Sequence, residues 1–430
     1  MTGAFIGTAI EWYDFFLFGT AAALVLGPTF YPYAAPGMAL LASFATFWVG
    51  FLTRPLGGVL FGHLGDRLGR KNTLVATLLL MGISTTLIGV LPGYDTLGIA
   101  APILLVFLRA CQGLAVGGEW SGAVLMATEN SSKDRRITAG SWVQQGSPAG
   151  SILATVMFLL AGLLPDAQFE AWGWRVPFLF SAVLVIVGLL IRRNLEESLD
   201  FQAAKARHEV VRAPVVEVFR SSSLLVMLGA ASSIIGISAA FFNNTFLLAW
   251  TTEDLGMERQ HILNILLLMA VLQFIWQPFA ASLAEKYGAL RVMIAGLVVN
   301  LLAVVPLFLA IQARSVVLVA AALIVTTIGV CAYYAILASF ISGVFPARVR
   351  YSGAALANGI CACVIGGSTP LIAQWILDST DGSPWGVAAF YAALILATIA
   401  GVTALSRRSS TSGDADPTGP LAGKELHDAH

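Results

Sequence analysis

Five ionisable residues lie within long apolar runs: Glu11, Asp14, Arg54, Arg109 and Glu119. A charge at bilayer depth costs about 2.5–3.5 kcal/mol even on the mildest insertion scale, so such residues are read first as functional. Gly7, Glu11, Asp14 and Phe18 recur at helical spacing on one stripe. Arg109, Gln112 and Glu119 fall within about 80° of arc on another helix, at 3.6 residues per turn. An arginine stays charged and holds a paired carboxylate ionised; separating the pair in a dry pocket favours proton uptake by the acid. Asp14 is therefore the expected proton site, Arg109 its counter-ion and Glu11 a second acid of the group. A static ion pair needed only for folding is the alternative reading. Arg54, Gln112, Glu119 and Gln145 are expected along the wall of the same cavity, and the two arginines favour an anionic substrate. His63 and His261 sit near the ends of apolar runs and are poor alternatives as proton carriers.

The elements that must hold these groups follow from composition. Of 430 residues, 57% are hydrophobic and 11% charged, against about 25% charged in a soluble domain. Too little polar surface exists to solvate a globule of this size, so lipid is the expected solvent and an all-α membrane protein the expected fold class. A net charge of zero argues against nucleic acid as a partner. Cys111, Cys331, Cys361 and Cys363 all lie in apolar runs, and Cys361-x-Cys363 has no further ligands nearby, so no metal or cofactor is expected.

Twelve stretches reach the roughly 20 residues a crossing requires: 4–27, 38–62, 73–92, 99–126, 138–164 and 175–191, then 222–249, 260–283, 290–312, 315–342, 353–377 and 386–405. With the N-terminus inside, nineteen Lys and Arg fall in cytoplasmic loops and the tail, and only Arg175, Arg259 and Arg314 fall outside. That asymmetry favours cytoplasmic termini and an even number of spans. The apolar N-terminus has no basic leader and is no signal peptide. No Lys or Arg precedes Arg54, so either the true start lies upstream or the later loops fix the orientation.

The polar segment 192–221 divides the chain into two six-helix bundles, 1–191 and 222–405, and 406–430 reads as a disordered cytoplasmic tail. The run Gly62–Lys71 has the spacing G-x-L-x-D-R-x-G-R-K and reads as a tight loop at 63–72. Asp66 can accept from the N-terminus of a neighbouring helix, such as the start of span eleven at Ser352-Gly353. Arg67, Arg70 and Lys71, with Glu129, Arg348 and Arg350, complete an expected cytoplasmic gate; a role in topology alone is the alternative. A degraded copy, Ala281–Arg291, carries Glu285 for Asp66 and Lys286 for Arg67. Such an internal repeat, with the site between its halves, is a common transporter plan.

Gly113, Gly117, Gly118 and Gly122, and Gly146 with Gly150, have small-xxx-small spacing that lets helices approach closely. In the second half Asn243, Asn244, Gln273, Trp276, Gln277, Tyr333, Tyr334 and Asn358 are the polar or amphipathic groups at midplane depth. They are substrate-binding candidates or interhelical hydrogen-bonding groups.

The loop spacing is similar to the signature of the major facilitator superfamily. Four further strings narrow the resemblance: Gly7–Phe16 (GTAIEWYDFF), Arg54–Gly58 (RPLGG), Gln112-Gly113 with Gly117–Trp120, and Trp172–Phe178 (WGWRVPF). Together they closely resemble the metabolite:proton symporter family, especially its shikimate- and dicarboxylate-type members. The resemblance implies a monomeric twelve-helix, two-bundle transporter in the cell membrane that takes up a small molecule with a proton, and no enzymatic activity. By similarity with sugar–proton symporters, Asp14 and Arg109 match a first-span Asp and a fourth-span Arg that couple protons. Gly343-Val344-Phe345-Pro346 lacks the family's usual Glu, and Ala289-Leu290 replaces common basic residues, so both cytoplasmic latches look weakened. Two other readings remain: a proton-antiporting exporter, to whose fifth-span motif Gly146–Gly150 is an incomplete match, and a sensor that does not transport.

Overall fold

The structure is a computed structural model that describes residues 2–68, 70–116, 136–193, 214–345 and 350–411. The long helices of the first half are α1 (Thr2–Leu24), α2 (Pro36–Leu52, resuming as Arg54–Leu68), α3 (Arg70–Val90), α4 (Ala100–Val116), α5 (Arg136–Gln144, resuming as Gly146–Ala161) and α6 (Arg175–Arg193). Those of the second half are α7 (Pro214–Phe241), α8 (Arg259–Tyr287), α9 (Ala289–Gln312), α10 (Val316–Val344), α11 (Arg350–Cys361, resuming as Thr369–Ser379) and α12 (Pro384–Thr411). Among the described residues there is no strand. Only a helix satisfies every backbone group within one segment, which lipid demands.

Eight of the described helices are long and apolar enough to cross a membrane, and a ninth candidate is α5 with the short helix after it, bent away by 119°. α1 lies below that level of hydropathy because it carries Glu11 and Asp14, and α4 is described only as far as Val116. Large apolar side chains such as Val59, Leu302 and Val317 are more than 70% exposed, as a lipid-facing surface requires.

The two halves repeat one packing plan. In the first, α1 packs on α5, α3 on α4 and α6, and α2 on α4. In the second, α7 packs on α11, α9 on α10 and α12, and α8 on α10. The halves meet where α5 lies against α8 and α10, α2 against α11, and α1 against the extension of α7. That extension continues in π-helical turns, Phe242–Leu247 and Trp250–Asp254. A third π-turn, Ala362–Gly366, interrupts α11. Wide turns of this kind free backbone carbonyls, and the Trp48 indole of α2 donates across the interface to the Cys363 carbonyl at 2.7 Å.

Three boundaries differ from the sequence expectation. Helix α2 runs through Gly62–Leu68 and α3 begins at Arg70, so the loop expected at 63–72 is mostly helix. The helix α12 continues to Thr411, past the expected start of the tail at 406. The segment 192–221 contributes helix at both ends, with non-helical backbone at Ser222 (φ −139°, ψ 23°) inside α7. In each case apolar periodicity marks where the hydrocarbon ends, and a helix does not have to stop there.

Candidate functional site

Close approach of α2 and α4 builds the site. A Cβ on Gly50 would meet Arg109 Nε at 2.5 Å, and one on Gly113 would overlap the Gly50 carbonyl and the Thr53 hydroxyl. Glycine at both positions lets the helices touch, and Thr53 Oγ1 donates to the Ala110 carbonyl at 3.1 Å. Arg109 is thereby carried into the bundle with no exposed surface. Its Nε donates to the Phe47 carbonyl (3.3 Å) and its Nη1 to Gln112 Oε1 (3.0 Å). Its guanidinium carbon lies 4.5, 4.3 and 5.0 Å from the ring centres of Phe15, Phe18 and Phe47. Arg54, at the restart of α2, lies 4.0 Å from the same Phe15 ring and 4.5 Å from Phe51. A desolvated cation over an aromatic face gains about 2 kcal/mol, which offsets part of the cost of burying two positive charges. Arg54 Nε and Arg109 Nη2 are buried without an acceptor.

Asp14 is 1% exposed. Ser181 Oγ of α6 donates to its Oδ1 at 3.0 Å, and its Oδ2 has no donor. Thr85 of α3 stands beside the carboxylate; its hydroxyl donates to the Met81 carbonyl and accepts from Gln112 Nε2 at 2.6 Å. Among the described residues no ion pair joins Asp14 to Arg109; Gln112 bonds to both Arg109 and Thr85, and Thr85 stands beside the carboxylate. The reason is packing: Phe15 and Phe18, just after Asp14 on α1, lie against the guanidinium, whose donors go to the Phe47 carbonyl of α2 and to Gln112 of α4. Glu11 interacts electrostatically with Arg54 and with Tyr334 of α10.

The remaining candidates are distributed unevenly. Gln145 Nε2 donates across the interface to the Phe274 carbonyl at 2.9 Å. Asn244 Nδ2 bonds back to the Ala240 carbonyl at 2.9 Å. The Trp276 indole donates to the Ile328 carbonyl at 3.2 Å, and the Tyr333 hydroxyl to the Ser232 carbonyl, both inside the second half. Asn243 and Asn358 are half-buried. Glu119, Glu129 and Arg348 lie outside the described residues, as do the side chains of Asp66, Arg67, Arg70, Lys71 and Arg350.

Several residues that sequence reasoning did not assign to the site belong to this geometry. Thr85, in the run Ser84-Thr85-Thr86, and Ser181 are uncharged hydroxyls in apolar helices and gave no signal. Phe241, fully buried at the end of α7, reaches into the first half with its ring 5.1 Å from both Phe47 and Phe51 and 6.0 Å from Trp12. Gln144 Nε2 of α5 donates to the Tyr334 carbonyl at 3.4 Å.

The halves are also tied at both ends. Near the start of α5, Glu285 Oε1 accepts from Thr138 N (3.0 Å) and Thr138 Oγ1 (2.9 Å). At the opposite end Arg259 pairs with Asp166 at 3.1 Å and lies 3.9 Å over the Phe169 ring.

Comparison with known proteins agrees with this architecture. The family model described as Major Facilitator Superfamily matches residues 4–367 and 228–426. The chain is 40% identical over 417 residues to the shikimate transporter of Escherichia coli (strain K12), covering 95% of this chain and 94% of that one. It is 38% identical to an inner membrane metabolite transport protein of the same organism, covering 94% and 92%, and 34% identical to its proline/betaine transporter, covering 94% and 82%. A crystal structure of a D-xylose-proton symporter superposes with a TM-score of 0.73 at 16% identity, covering 94% of this chain and 96% of that one, which establishes the fold. With two six-helix halves, one packing plan repeated and relatives matched along nearly its whole length, the chain belongs to the major facilitator superfamily and is a multi-pass membrane transporter with that fold.

Proposed function

We propose that this protein carries a small organic anion across the membrane together with a proton, by alternating access between bundles 1–191 and 222–405. In this reading both termini are cytoplasmic, and 192–221 and 406–430 are a linker and a tail. The carrying observation is the pair of guanidinium groups, half-buried Arg54 and fully buried Arg109, set against one ring, Phe15, each with a buried nitrogen that lacks an acceptor. Two fixed cations in a dry cavity attract a carboxylate, and Arg offers it a bidentate fork. Asp14 takes the proton; once neutral it no longer balances Arg109, and the substrate carboxylate supplies the missing negative charge. Proton and anion then enter together because each lowers the electrostatic cost of the other.

The relatives include shikimate and proline/betaine transporters. A quaternary ammonium is recognised by open aromatic faces. Here Phe15, Phe47 and Phe51 already hold guanidinium groups, so a further cation meets repulsion. This favours an acid such as shikimate or a dicarboxylate over betaine. Uptake into proteoliposomes under an imposed inward proton gradient tests the reading. Gradient-driven accumulation of an acid and little of betaine is expected; betaine accumulating in preference to every acid would overturn it, and acid efflux driven by the same gradient would make the protein an antiporter.

A further inference from the structure

Two helix breaks meet across the interface between the halves. In α5 the break lies at Gln145, between Arg136–Gln144 and Gly146–Ala161. Pro148 has no N–H to offer the Gln144 carbonyl four residues back. In α8, Pro278 likewise leaves the Phe274 carbonyl without its helical donor. Gln145 Nε2 donates to that carbonyl at 2.9 Å. A side chain of the first half thus takes up the bond that a proline of the second half left open. The neighbouring Gln144 Nε2 donates to the Tyr334 carbonyl of α10 at 3.4 Å. Both glutamines are buried.

Each break is fixed within its own half. After Gln145, α5 is pressed onto α1: a Cβ on Gly146 would meet Thr8 at 2.6 Å, and one on Gly150 would meet the Trp12 side chain at 2.8 Å. Just beyond Phe274, the Trp276 indole ties α8 to the Ile328 carbonyl of α10. The two elements meet again at both ends, where Glu285 accepts from Thr138 and Arg259 pairs with Asp166 just past α5. Phe274 lies about 16 Å along α8 from Glu285 and about 22 Å from Arg259, at about 1.5 Å per residue. A turn of about 15°, the size of a documented subunit rotation, displaces those ends by about 4 and 6 Å. Neither a hydrogen bond nor an ion pair survives that. At the centre the same turn changes only an angle, which a hydrogen bond tolerates down to about 120°. The Gln145 amide is held there through its nitrogen alone, since its Oε1 has no donor.

We propose that Gln145 is the pivot on which the halves turn: its bond to the Phe274 carbonyl, steadied by Gln144, persists while the two end contacts open in alternation. It is a positioning residue that couples one end of the interface to the other. The proposal rests on the alternating access argued above.

The test reads distances between spin-label pairs in the full chain with its four native cysteines replaced, in lipid nanodiscs. Trp142→Cys with Leu283→Cys reports the Thr138 end, and Leu163→Cys with His261→Cys the Asp166 end; all four positions are exposed. The perturbation is Arg259→Gln, which removes the ion pair and the ring contact of the Asp166 end. In the parent it is expected to raise the open population at that end and to lower it at the Thr138 end, each by about threefold. Two variants remove the pivot by different routes. Gln145→Met deletes the donor. Pro278→Ala supplies a backbone N–H that takes the Phe274 carbonyl, and so guards against a misfolded Gln145→Met. In either variant Arg259→Gln is expected to open its own end while the response at the Thr138 end is lost, and combining the two variants is expected to lose no more. A Thr138 end that does not respond in the parent, or that responds as fully in both variants as in the parent, would overturn the proposal. A coupled response lost in both variants, in a protein that accumulates no acid under a proton gradient, would leave the proposal standing and remove the acid–proton reading.

Discussion

The two halves share a packing plan but bury different kinds of polar group: among the described residues the buried charges lie in the first half, whereas the unpartnered buried groups of the second, such as Gln277 and Asn300, are neutral. The first half buries Asp14 and Arg109, half-buries Arg54, holds both cations on aromatic rings, and leaves guanidinium nitrogens without acceptors. The second half directs Asn244, Trp276 and Tyr333 to its own backbone carbonyls. An unsatisfied charged group in hydrocarbon is expensive and persists where function requires it, while a satisfied amide or hydroxyl knits helices together. The contrast argues that the first half does the chemistry and the second supplies the moving wall, with Phe241 reaching across at the centre.

The comparison can be broken most sharply at Arg109. Arg109→Lys replaces a caged planar fork by a compact ammonium, and leaving its partners unmatched is expected to reduce proton-driven uptake by on the order of 100-fold or more. Near-normal uptake by this variant in proteoliposomes would show that the cage is structural. Asp14→Asn is expected to abolish accumulation against a gradient while preserving counterflow exchange; retained accumulation would remove Asp14 from its role. Arg54→Lys is expected to raise KM for the acid by about tenfold with a smaller change in kcat, because the site keeps a charge but loses its fork. In the second half, Trp276→Phe loses one intramembrane hydrogen bond worth roughly 0.6 kcal/mol. Its KM is expected to stay within about threefold, and a larger rise would move Trp276 into the substrate site. The smallest effect is expected at Tyr333→Phe: about 1 kcal/mol of stability, read by thermal unfolding in detergent, with transport intact.

Much of this contrast was legible in the residues. The buried charges of the first half stand out against apolar runs, and stripe spacing set Glu11 and Asp14 on one face of α1. The direct Asp14–Arg109 pair was not legible correctly, because periodicity gives the face of a helix but not what fills the gap between two helices. The rings of Phe15 and Phe18 decide that. The loop after α8 teaches a related point. Ala289 and Leu290 made it look like a weakened latch, yet its retained acid, Glu285, caps the start of α5 through both the backbone amide and the hydroxyl of Thr138. A carboxylate at a helix N-terminus needs only the acid and free amides, so losing the basic residues did not remove the contact.

The sequence by itself determined the all-helical membrane fold class, the twofold repeat and the superfamily, because each of these depends on composition and spacing along the chain. Tertiary structure decided which polar groups meet. It linked Arg109 to Thr85 through Gln112, put two guanidinium groups on one ring, and brought Gln144 to the Tyr334 carbonyl across the interface. Those contacts depend on how closely helices approach and how side chains share the space between them, which no pattern along a single helix encodes.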